Sequence, residues 1–342
     1  MTEKILSVSI AAYNVQDTLA EALVPFTAEG ISEYVDVMIV NDGSTDNTAA
    51  IASEYVNQYP DTFRLISKAN GGWGSTLNVG VQEAKGKYFK QLDGDDFFSP
   101  ENLNMFLKKL SSTNSDMVYT PFVSFDHQTG GILRIIGGLE GAYETFPINQ
   151  EIPIKWCRGF LPAMHTITVK TSLLQKINID ITEHCFYTDV EFLLKVVNNC
   201  ESITFFDFPI YYYRLARSGQ SMSLEGVRKH YRDHQKMLLK MLDYFDKNVT
   251  DDYKKEMIGE RLLGACNMQY LFYFALKCTK KQKKELIEYD EQLRQEYPEF
   301  YLRLNGHQIS LLRKLNFCGY KIIAKQKMMK DKRLKQNIFE GC

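Results

Sequence analysis

The chain has 342 residues, and its 41 lysines and arginines almost balance its 42 aspartates and glutamates, so the formal net charge is −1 at pH 7. A chain of this length can bury the core of one large domain or of two smaller ones. Because nucleic-acid-binding proteins usually carry a basic excess, the balanced charge argues against nucleic acid as a partner.

The seven cysteines are scattered and form no Cys-x-x-Cys pair. This spacing argues against a zinc site and against a disulfide framework, and it favours a reducing compartment. The first four residues lead directly into a short apolar strand rather than a signal peptide, and no later apolar run approaches the ~20 residues of a membrane helix. We therefore expect a cytoplasmic protein, either soluble or attached peripherally to the inner face of the cell membrane.

Strand and helix patterns alternate over about the first 120 residues. Apolar runs predict strands at 5–11, 35–40, 63–67 and 88–92. Amphipathic patterns predict helices at 16–28, 48–59, 75–84 and 101–110. This alternation is typical of an α/β fold with a mostly parallel sheet flanked by helices, whose ligands bind outside the carboxyl ends of the strands.

Polar residues and glycines cluster where the four predicted strands end. In chain order these loops are Ala12-Tyr13-Asn14, Asn41-Asp42-Gly43-Ser44, Asn70-Gly71-Gly72-Trp73-Gly74 and Asp93-Gly94-Asp95-Asp96. Carboxylates as crowded as those of the fourth loop repel one another unless a cation lies among them. Oxygen ligands favour Mg²⁺ or Mn²⁺, which commonly bridge carboxylates to substrate phosphates. The fourth loop therefore predicts a divalent metal and a nucleotide substrate, with a solvated acidic turn as the alternative.

The other loops also have plainer explanations. Asp42 can belong to a turn that supplies a helix cap, or it can accept a hydrogen bond from a base N–H. Tyr13 can lie in the core or stack on a base. The glycine-rich loop 70–74 follows the third strand and lacks the Gly-x-Gly-x-x-Gly spacing at the first βα turn, which argues against a Rossmann oxidoreductase.

Several of these segments occur together in a specific order. They are 7–14, 39–46, 70–72 and 92–96, together with Asn78 and Gly86. In this combination residues 5–220 resemble glycosyltransferase family 2. The resemblance implies a GT-A fold, a nucleotide-sugar donor, a divalent metal and inversion at the anomeric carbon. One departure is Leu77, which stands where many relatives carry arginine.

The family pattern also assigns roles to individual residues. Tyr13 and Asp42 would contact the base, Asp93 would serve the ribose or the metal, and Asp95 would serve the metal and the diphosphate. The expected metal ligands are thus Asp93 and Asp95, and the expected cofactor is Mn²⁺ or Mg²⁺. The full set of expected donor-binding residues is Ala12, Tyr13, Asn14, Asp42, Asn70, Gly71, Asp93, Gly94 and Arg214.

The less regular sequence from 121 to 224 suits an acceptor-binding half. Asp189, near the start of a predicted helix, resembles the family's catalytic carboxylate, although Thr188 stands where a glutamate usually precedes it. An aspartate at a helix N-terminus can instead simply complement the helix dipole. The expected acceptor-binding residues are His165 and Glu191, with a packed structural histidine as the alternative for His165.

The segment 211–214, Tyr-Tyr-Tyr-Arg, resembles the family's closing segment. Arg214 or Arg217 would pair with the donor phosphates there, or either would only anchor the loop.

Beyond about residue 225 the sequence becomes helical. Expected helices lie at 228–245, 254–276 and 280–296, with a final stretch from 310. That stretch carries an apolar stripe of Leu311, Leu315, Cys318 and Ile322, and basic residues that include Arg313, Lys327, Lys330, Lys332, Arg333 and Lys335. Such a helix can lie on an anionic membrane surface or pack on the catalytic domain.

The sequence thus predicts a GT-A catalytic domain at 1–224 and a helical C-terminal region at 225–342. Within the catalytic domain, residues 1–120 would bind the nucleotide sugar and residues 121–224 the acceptor.

The expected function is an inverting, metal-dependent glycosyltransferase. It would move a sugar from a nucleoside-diphosphate sugar, expected to be a UDP-sugar, to a hydroxyl of a glycan or lipid-linked acceptor in bacterial surface polysaccharide synthesis. Asp189 would take the acceptor proton, and the metal would stabilise the leaving diphosphate. The alternatives are a nucleotidyltransferase that makes sugar nucleotides, a non-catalytic glycan- or nucleotide-binding relative, and a peripheral membrane scaffold.

Overall fold

The computed structural model describes residues 4–137, 146–157, 160, 162–215 and 223–325. The chain divides into two compact units, Met1–Arg217 and Ser218–Cys342.

The first unit is built around an eight-stranded sheet. Its first four strands in the chain are β1 (Leu6–Ala12), β2 (Val35–Asn41), β3 (Phe63–Ser67) and β4 (Tyr88–Asp93). They pair in parallel in the order β3-β2-β1-β4. The register places Ala12 beside Asn41 and Ala11 beside Asp93, so these strands end at one edge of the sheet. The strand register therefore brings the loops that follow these strands to the same edge of the sheet, where they were predicted to lie.

Helices connect these strands. They are α1 (Leu19–Leu23), α2 (Thr48–Gln58), α3 (Trp73–Glu83) and α4 (Pro100–Ser112). The helix predicted at 16–28 is shorter than expected, because a 3₁₀ turn at Val24–Thr27 replaces its second half. Pro25 lies in the first turn of that 3₁₀ segment, and proline has no N–H with which to continue the α-helical hydrogen bonds.

The remaining strands complete the sheet and form a second one. In chain order they are β5 (Phe97–Phe98), β6 (Met117–Tyr119), β7 (Phe122–Asp126), β8 (Ile132–Ile136), β9 (Glu151–Pro153), β10 (Ile167–Lys170), β11 (Ser202–Phe205) and β12 (Tyr211–Leu215). The large sheet continues from β4 as β10-β6-β11-β9, and the small sheet has the order β5-β12-β7-β8. Two further helices are α5 (Thr171–Lys176) and α6 (Thr188–Asn199). The predicted α/β class, a mostly parallel sheet flanked by helices, is confirmed.

The core explains why β1 and β2 read as apolar runs. Val8, Ile10, Val37 and Ile39 have no exposed surface. The register pairs Val8 with Val37 and Ile10 with Ile39, so all four lie on one face of the sheet, and each fully buried side chain of this size contributes about 1.5–3 kcal/mol. Gly86 allows the chain to pass close to β1, because a Cβ atom there would lie within 3 Å of its backbone.

The second unit is helical in the part that the structure describes. Its helices are α7 (Leu224–Asn248), α8 (Asp252–Phe274), α9 (Lys280–Glu296), α10 (Pro298–Arg303) and α11 (His307–Lys314). The Ser223 hydroxyl accepts a hydrogen bond from the Gly226 N–H and caps α7, while Thr279 and Gln282 form a capping box on α9. None of the described helices is long and apolar enough to cross a membrane.

The final helical stretch differs from the prediction. α11 ends at Lys314, and a new helical segment begins at Tyr320. Between them Asn316 and Phe317 adopt φ angles of 45° and 59°, a left-handed conformation that interrupts a right-handed helix. The stretch from residue 310 is therefore helical but is not one continuous helix.

The side chains of this stretch divide between interior and surface. Arg313, expected on a basic face, points inward and donates from Nε to Asp290 Oδ1 at 2.8 Å. Leu311, Leu315 and Ile322 are exposed, whereas Leu312 and Ile323 are buried. The predicted basic residues Lys327, Lys330, Lys332, Arg333 and Lys335 lie outside the described residues.

Candidate active site

The turn after β4 brings three carboxylates together. The Asp96 N–H donates to the Asp93 carbonyl at 3.0 Å and closes the turn. The Gly94 N–H donates to the Ala11 carbonyl at 3.0 Å, which ties the turn to the end of β1. A Cβ atom at Gly94 would lie 2.8 Å from that carbonyl oxygen, so glycine is required for this close approach. The strand register thus positions Asp93, Asp95 and Asp96.

The electrostatics of this turn favour a cation. Burial, and after it the charges of Asp95 and Asp189, raise the pKa of Asp93 to about 7. Burial, followed by the charges of Asp95 and Asp93, raises the pKa of Asp96 well above its ordinary value. Because burial and mutual repulsion disfavour the ionised forms of Asp93 and Asp96, a divalent cation would stabilise both carboxylates. The influence of Asp189 on Asp93 also places the predicted catalytic carboxylate near the turn.

Among the described residues, one group of three possible metal ligands overlaps with the predicted pair but is not identical to it. Asp93, Asp96 and His165 each offer a ligand atom, and these atoms lie within 4.8 Å of one another. Carboxylate oxygens and a neutral imidazole suit Mn²⁺ and other first-row divalent ions, so the residues present fit the implied metal. Asp95 is not in this group, and its role as a ligand stays a prediction, as does the acceptor role of His165.

His165 is packed among aromatic rings. Its ring centroid lies 5.0 Å from that of Phe122, 4.9 Å from Tyr211 and 4.5 Å from Tyr213. Its Nδ1 atom is buried and has no hydrogen-bond partner among the described residues. Burial, together with the charge of Lys90, lowers the pKa of His165 to about 3. The imidazole is therefore neutral near pH 7, the state that a metal ligand requires.

A buried lysine holds the backbone at His165 in place. Lys90 on β4 is only 1% exposed, and its Nζ donates to the backbone carbonyls of His165 and Ile167 at 2.9 Å each. Burial lowers the pKa of Lys90 to about 7. The neighbouring sequence gives no sign of this contact, because the partners lie 75 and 77 residues further along the chain.

Strand β12 supports the acidic turn from the other side. The Tyr211 hydroxyl donates to Asp96 Oδ2 at 2.7 Å and accepts from the Asp93 N–H at 3.2 Å. The Arg214 N–H donates to Asp96 Oδ1 at 2.7 Å. Both oxygens of Asp96 thus anchor β12 to the turn. Alternation along the strand places Tyr211 and Tyr213 on one face, a sequence signal that could have assigned both to the site.

Arg214, predicted to bind donor phosphates, is turned toward the protein. Its Nε donates to the Asp95 carbonyl at 2.6 Å, and its Nη2 donates to Glu21. The guanidinium also lies over the Phe125 ring, and Arg214 as a whole is buried, with 5% of its surface exposed. The anchoring alternative fits these contacts, and phosphate binding by Arg214 stays a prediction. Arg217, the other predicted candidate, lies outside the described residues.

The loop after β1 is tied to the loop after β2. The Ala12 carbonyl accepts from the Asp42 N–H at 2.9 Å, and the Asn14 N–H donates to Ser44 Oγ at 3.1 Å. Asn14 has a φ angle of 52°, and its Oδ1 accepts from the Thr45 N–H. Tyr13 between them is 50% exposed, so its ring is accessible for the predicted stacking on a base.

The Asp42 carboxylate forms hydrogen bonds with other groups of the protein. Its carboxylate accepts four hydrogen bonds within 3.1 Å, from Lys68 Nζ, the Gly71 N–H, the Gly72 N–H and Asn70 Nδ2. A carboxylate offers about four acceptor positions. The residue thus fixes the glycine-rich loop, including the predicted donor residues Asn70 and Gly71, and base contact by Asp42 stays a prediction.

The glycine-rich loop is joined in turn to the segment before α6. The His184 N–H donates to the Gly71 carbonyl at 2.5 Å. Asn78 accepts from the Ile181 N–H at 2.8 Å and donates to the Ile181 carbonyl at 2.9 Å. This segment leads into α6, whose first turn contains Asp189. Leu77, the departure from the family pattern, is fully buried in the core.

Glu191, predicted to bind the acceptor, is completely buried. Its Oε2 accepts from the Thr182 N–H at 3.2 Å, and its Oε1 pairs with Lys195 Nζ at 2.8 Å. These contacts hold the segment before α6 in place. Acceptor binding by Glu191 stays a prediction, which its burial disfavours.

The first unit thus has a GT-A type of fold. Its sheet is mostly parallel with antiparallel additions, and an acidic turn lies beside the ends of β1 and β2. Residues 7–163 match the family model described as glycosyl transferase family 2, the family that this part of the sequence resembles.

Solved structures share this fold. TarS from S. aureus, residues 1–349 in complex with UDP-GlcNAc, superimposes with a TM-score of 0.66 at 20% identity, covering 97% of this chain and 92% of that chain. The mannosyltransferase PcManGT from Pyrobaculum calidifontis, in complex with GDP-Man and Mn²⁺, gives a TM-score of 0.52 at 14% identity, with 96% and 87% coverage.

Curated relatives match shorter parts of the chain. An uncharacterised glycosyltransferase of Mycoplasma pneumoniae is 36% identical over 126 residues, which span 35% of this chain and 40% of that protein. The minor teichoic acid biosynthesis protein GgaB of Bacillus subtilis is 26% identical over 257 residues, which span 72% of this chain and 26% of that protein. The matches thus extend over less than half the length of either relative.

Proposed function

We propose that the chain is an inverting, metal-dependent glycosyltransferase that transfers a sugar from a nucleoside-diphosphate sugar to a hydroxyl of a glycan or lipid-linked acceptor. The observation that carries this proposal is the convergence of Asp189 with the acidic turn, since Asp189 influences the pKa of Asp93. The names of the relatives support a role in surface polysaccharide, because GgaB is a teichoic acid biosynthesis protein. A UDP-sugar is the first donor to test, since TarS is described in complex with UDP-GlcNAc.

The residues of this chain would divide the chemistry between them. Asp189 accepts the proton of the acceptor hydroxyl as that oxygen attacks the anomeric carbon. The loops that end β1, β2 and β3 hold the nucleotide and orient the sugar for attack opposite the diphosphate, which inverts the anomeric configuration. Asp93 with Asp95 or Asp96 and His165 would hold the metal, which when bound supplies positive charge for the leaving diphosphate.

The test is the identity of the released product. The full chain with Mn²⁺ is incubated with a panel of UDP-sugars and candidate acceptors, and the products are separated by anion-exchange chromatography. We expect UDP release that depends on acceptor and metal. Pyrophosphate formation from UTP and a sugar phosphate would instead identify a nucleotidyltransferase, and nucleotide binding without any product would identify a non-catalytic relative.

We also propose that the exposed apolar residues near the C-terminus attach the protein to the inner face of an anionic membrane, where a lipid-linked acceptor would lie. Leu315 and Ile322 are 48% and 63% exposed, and basic residues follow them in the sequence.

Changing Leu315 and Ile322 together to serine is expected to weaken binding to anionic vesicles in a sedimentation assay. Binding of the unchanged chain should also fall as salt rises. The control is Leu302→Ser, since Leu302 is 73% exposed in α10 and lies outside the apolar stripe. Equal sedimentation of all three proteins would contradict membrane attachment through these residues.

A further inference from the structure

The glycine-rich loop carries Trp73, one of two tryptophans in the chain. Trp73 is the first residue of α3, and its indole Nε1–H donates to Asp93 Oδ1 at 2.7 Å. We propose that Trp73 is a positioning residue that fixes the Asp93 carboxylate for the metal and the nucleotide, an inference that rests on the proposed function. With Oδ1 engaged, Oδ2 is the oxygen that Asp93 presents to a metal or to a ribose hydroxyl.

The backbone around Trp73 is fixed before any ligand binds. Asp42 accepts from the N–H groups of Gly71 and Gly72, as described above. Gly72 has a φ angle of 83°, which favours glycine, and a Cβ atom at Gly74 would lie 2.4 Å from the Thr182 carbonyl oxygen. The loop backbone therefore packs directly against the segment before α6, and the start of α3 directs the indole toward Asp93.

Asp93 is also held at its backbone, which makes the indole contact decisive for its side chain. Its N–H donates to the Tyr211 hydroxyl, and β4 pairs with β1 up to this residue. These contacts set the position of the Cα atom but leave the carboxylate rotation open. The Trp73 hydrogen bond selects one rotation, as outer hydrogen-bond partners of metal ligands commonly do.

The same contact places a fluorophore beside the proposed metal. The other tryptophan, Trp156, is 63% exposed and follows β9. Trp156→Phe therefore leaves Trp73 as the sole tryptophan without touching the site. Paramagnetic Mn²⁺ next to an indole is expected to quench its fluorescence, so this variant reports occupancy of the site directly.

The experiment compares three full-length proteins: the unchanged chain, Trp156→Phe and Trp73→Phe. Phenylalanine keeps an aromatic ring at position 73 but removes the N–H donor. Mn²⁺ binding, alone and with UDP, is measured by calorimetry, and thermal melting without metal checks the fold. We expect Trp73→Phe to bind Mn²⁺ about 10–100-fold more weakly at an unchanged melting temperature, since loss of an outer-shell partner has effects of this size.

The fluorescence titration separates positioning from a merely structural role. Mn²⁺ should quench the emission of Trp156→Phe at the concentration at which calorimetry shows binding, whereas Trp73→Phe, which retains Trp156, should show no saturable change. Unchanged Mn²⁺ affinity in Trp73→Phe would overturn the inference and leave the proposed function intact. So would calorimetric binding to Trp156→Phe without any fluorescence response. Absence of Mn²⁺ binding by the unchanged chain would overturn the proposed metal dependence and this inference with it.

Discussion

Asp189→Asn is expected to lower kcat by roughly 10²–10⁴-fold, the usual contribution of a positioned general base. Asp189 lies in the first turn of α6 and influences the acidic turn electrostatically. Asparagine has nearly the same shape but cannot accept the proton of an acceptor hydroxyl. Donor affinity should barely change, because the loops that would hold the nucleotide are untouched. Turnover, donor binding and melting temperature are measured on the same preparation.

A purely structural Asp189 gives a different result. If the side chain only complements the helix dipole, the substitution costs about 0.3–1 kcal/mol of stability, and turnover stays near that of the unchanged chain. Asp180→Asn is a suitable control, because Asp180 is an exposed carboxylate on the segment that precedes α6. Unchanged turnover in Asp189→Asn would redirect the search for the base to Glu183, Glu191 or His165.

Asp95→Asn is expected to abolish most metal-dependent donor binding and turnover, a loss of at least about 10²-fold. The substitution removes one of the negative charges that would attract a divalent cation to the turn. Burial and mutual repulsion already raise the pKa values of the neighbouring Asp93 and Asp96. A bound divalent ion contributes several kcal/mol of charge stabilisation, and each 1.36 kcal/mol corresponds to tenfold in rate. Donor binding is measured by calorimetry with Mn²⁺ and with a chelator.

The fold of Asp95→Asn should be preserved, because asparagine has nearly the same shape as aspartate and keeps the backbone carbonyl to which Arg214 donates. Asp96→Asn provides the contrast, since both Asp96 oxygens accept hydrogen bonds that anchor β12. We expect Asp96→Asn to lower the melting temperature as well as the activity. Normal turnover of Asp95→Asn in the presence of a chelator would contradict the metal assignment.

The architecture of the first unit could be predicted from the sequence because its central strands β1, β2 and β4 are buried along almost their whole length and are flanked by clear helix patterns. The run predicted at 63–67 is the strand Phe63–Ser67, and the run predicted at 35–40 is Val35–Asn41. Apolar runs of this kind end where the chain leaves the sheet, so they also located the loops at its edge. Boundaries were less accurate where proline intervened, as in the helix that Pro25 shortens.

The internal contacts of the site could not be predicted in the same way. Trp73 and Asp93 are 20 residues apart, and Lys90 and His165 are 75 apart. Local periodicity carries no information about such pairs. Charged residues caused a second difficulty, because the groups suited to binding a ligand are equally suited to internal hydrogen bonds. Glu191 and Arg214 were predicted to bind substrates, and the structure pairs both with protein atoms.

The bonds between the glycine-rich loop and the segment before α6 have an evolutionary consequence. Gly71 and Asn78 accept hydrogen bonds from the backbone of residues 181–184, and Gly74 has no room for a side chain against Thr182. A substitution that reshapes either segment therefore strains the other. The two stretches, about 100 residues apart in the sequence, are therefore structurally coupled. If the loop holds the donor as we propose, a new donor preference would need paired changes in both stretches, and a loop grafted from a relative would need its matching partner segment to be accepted.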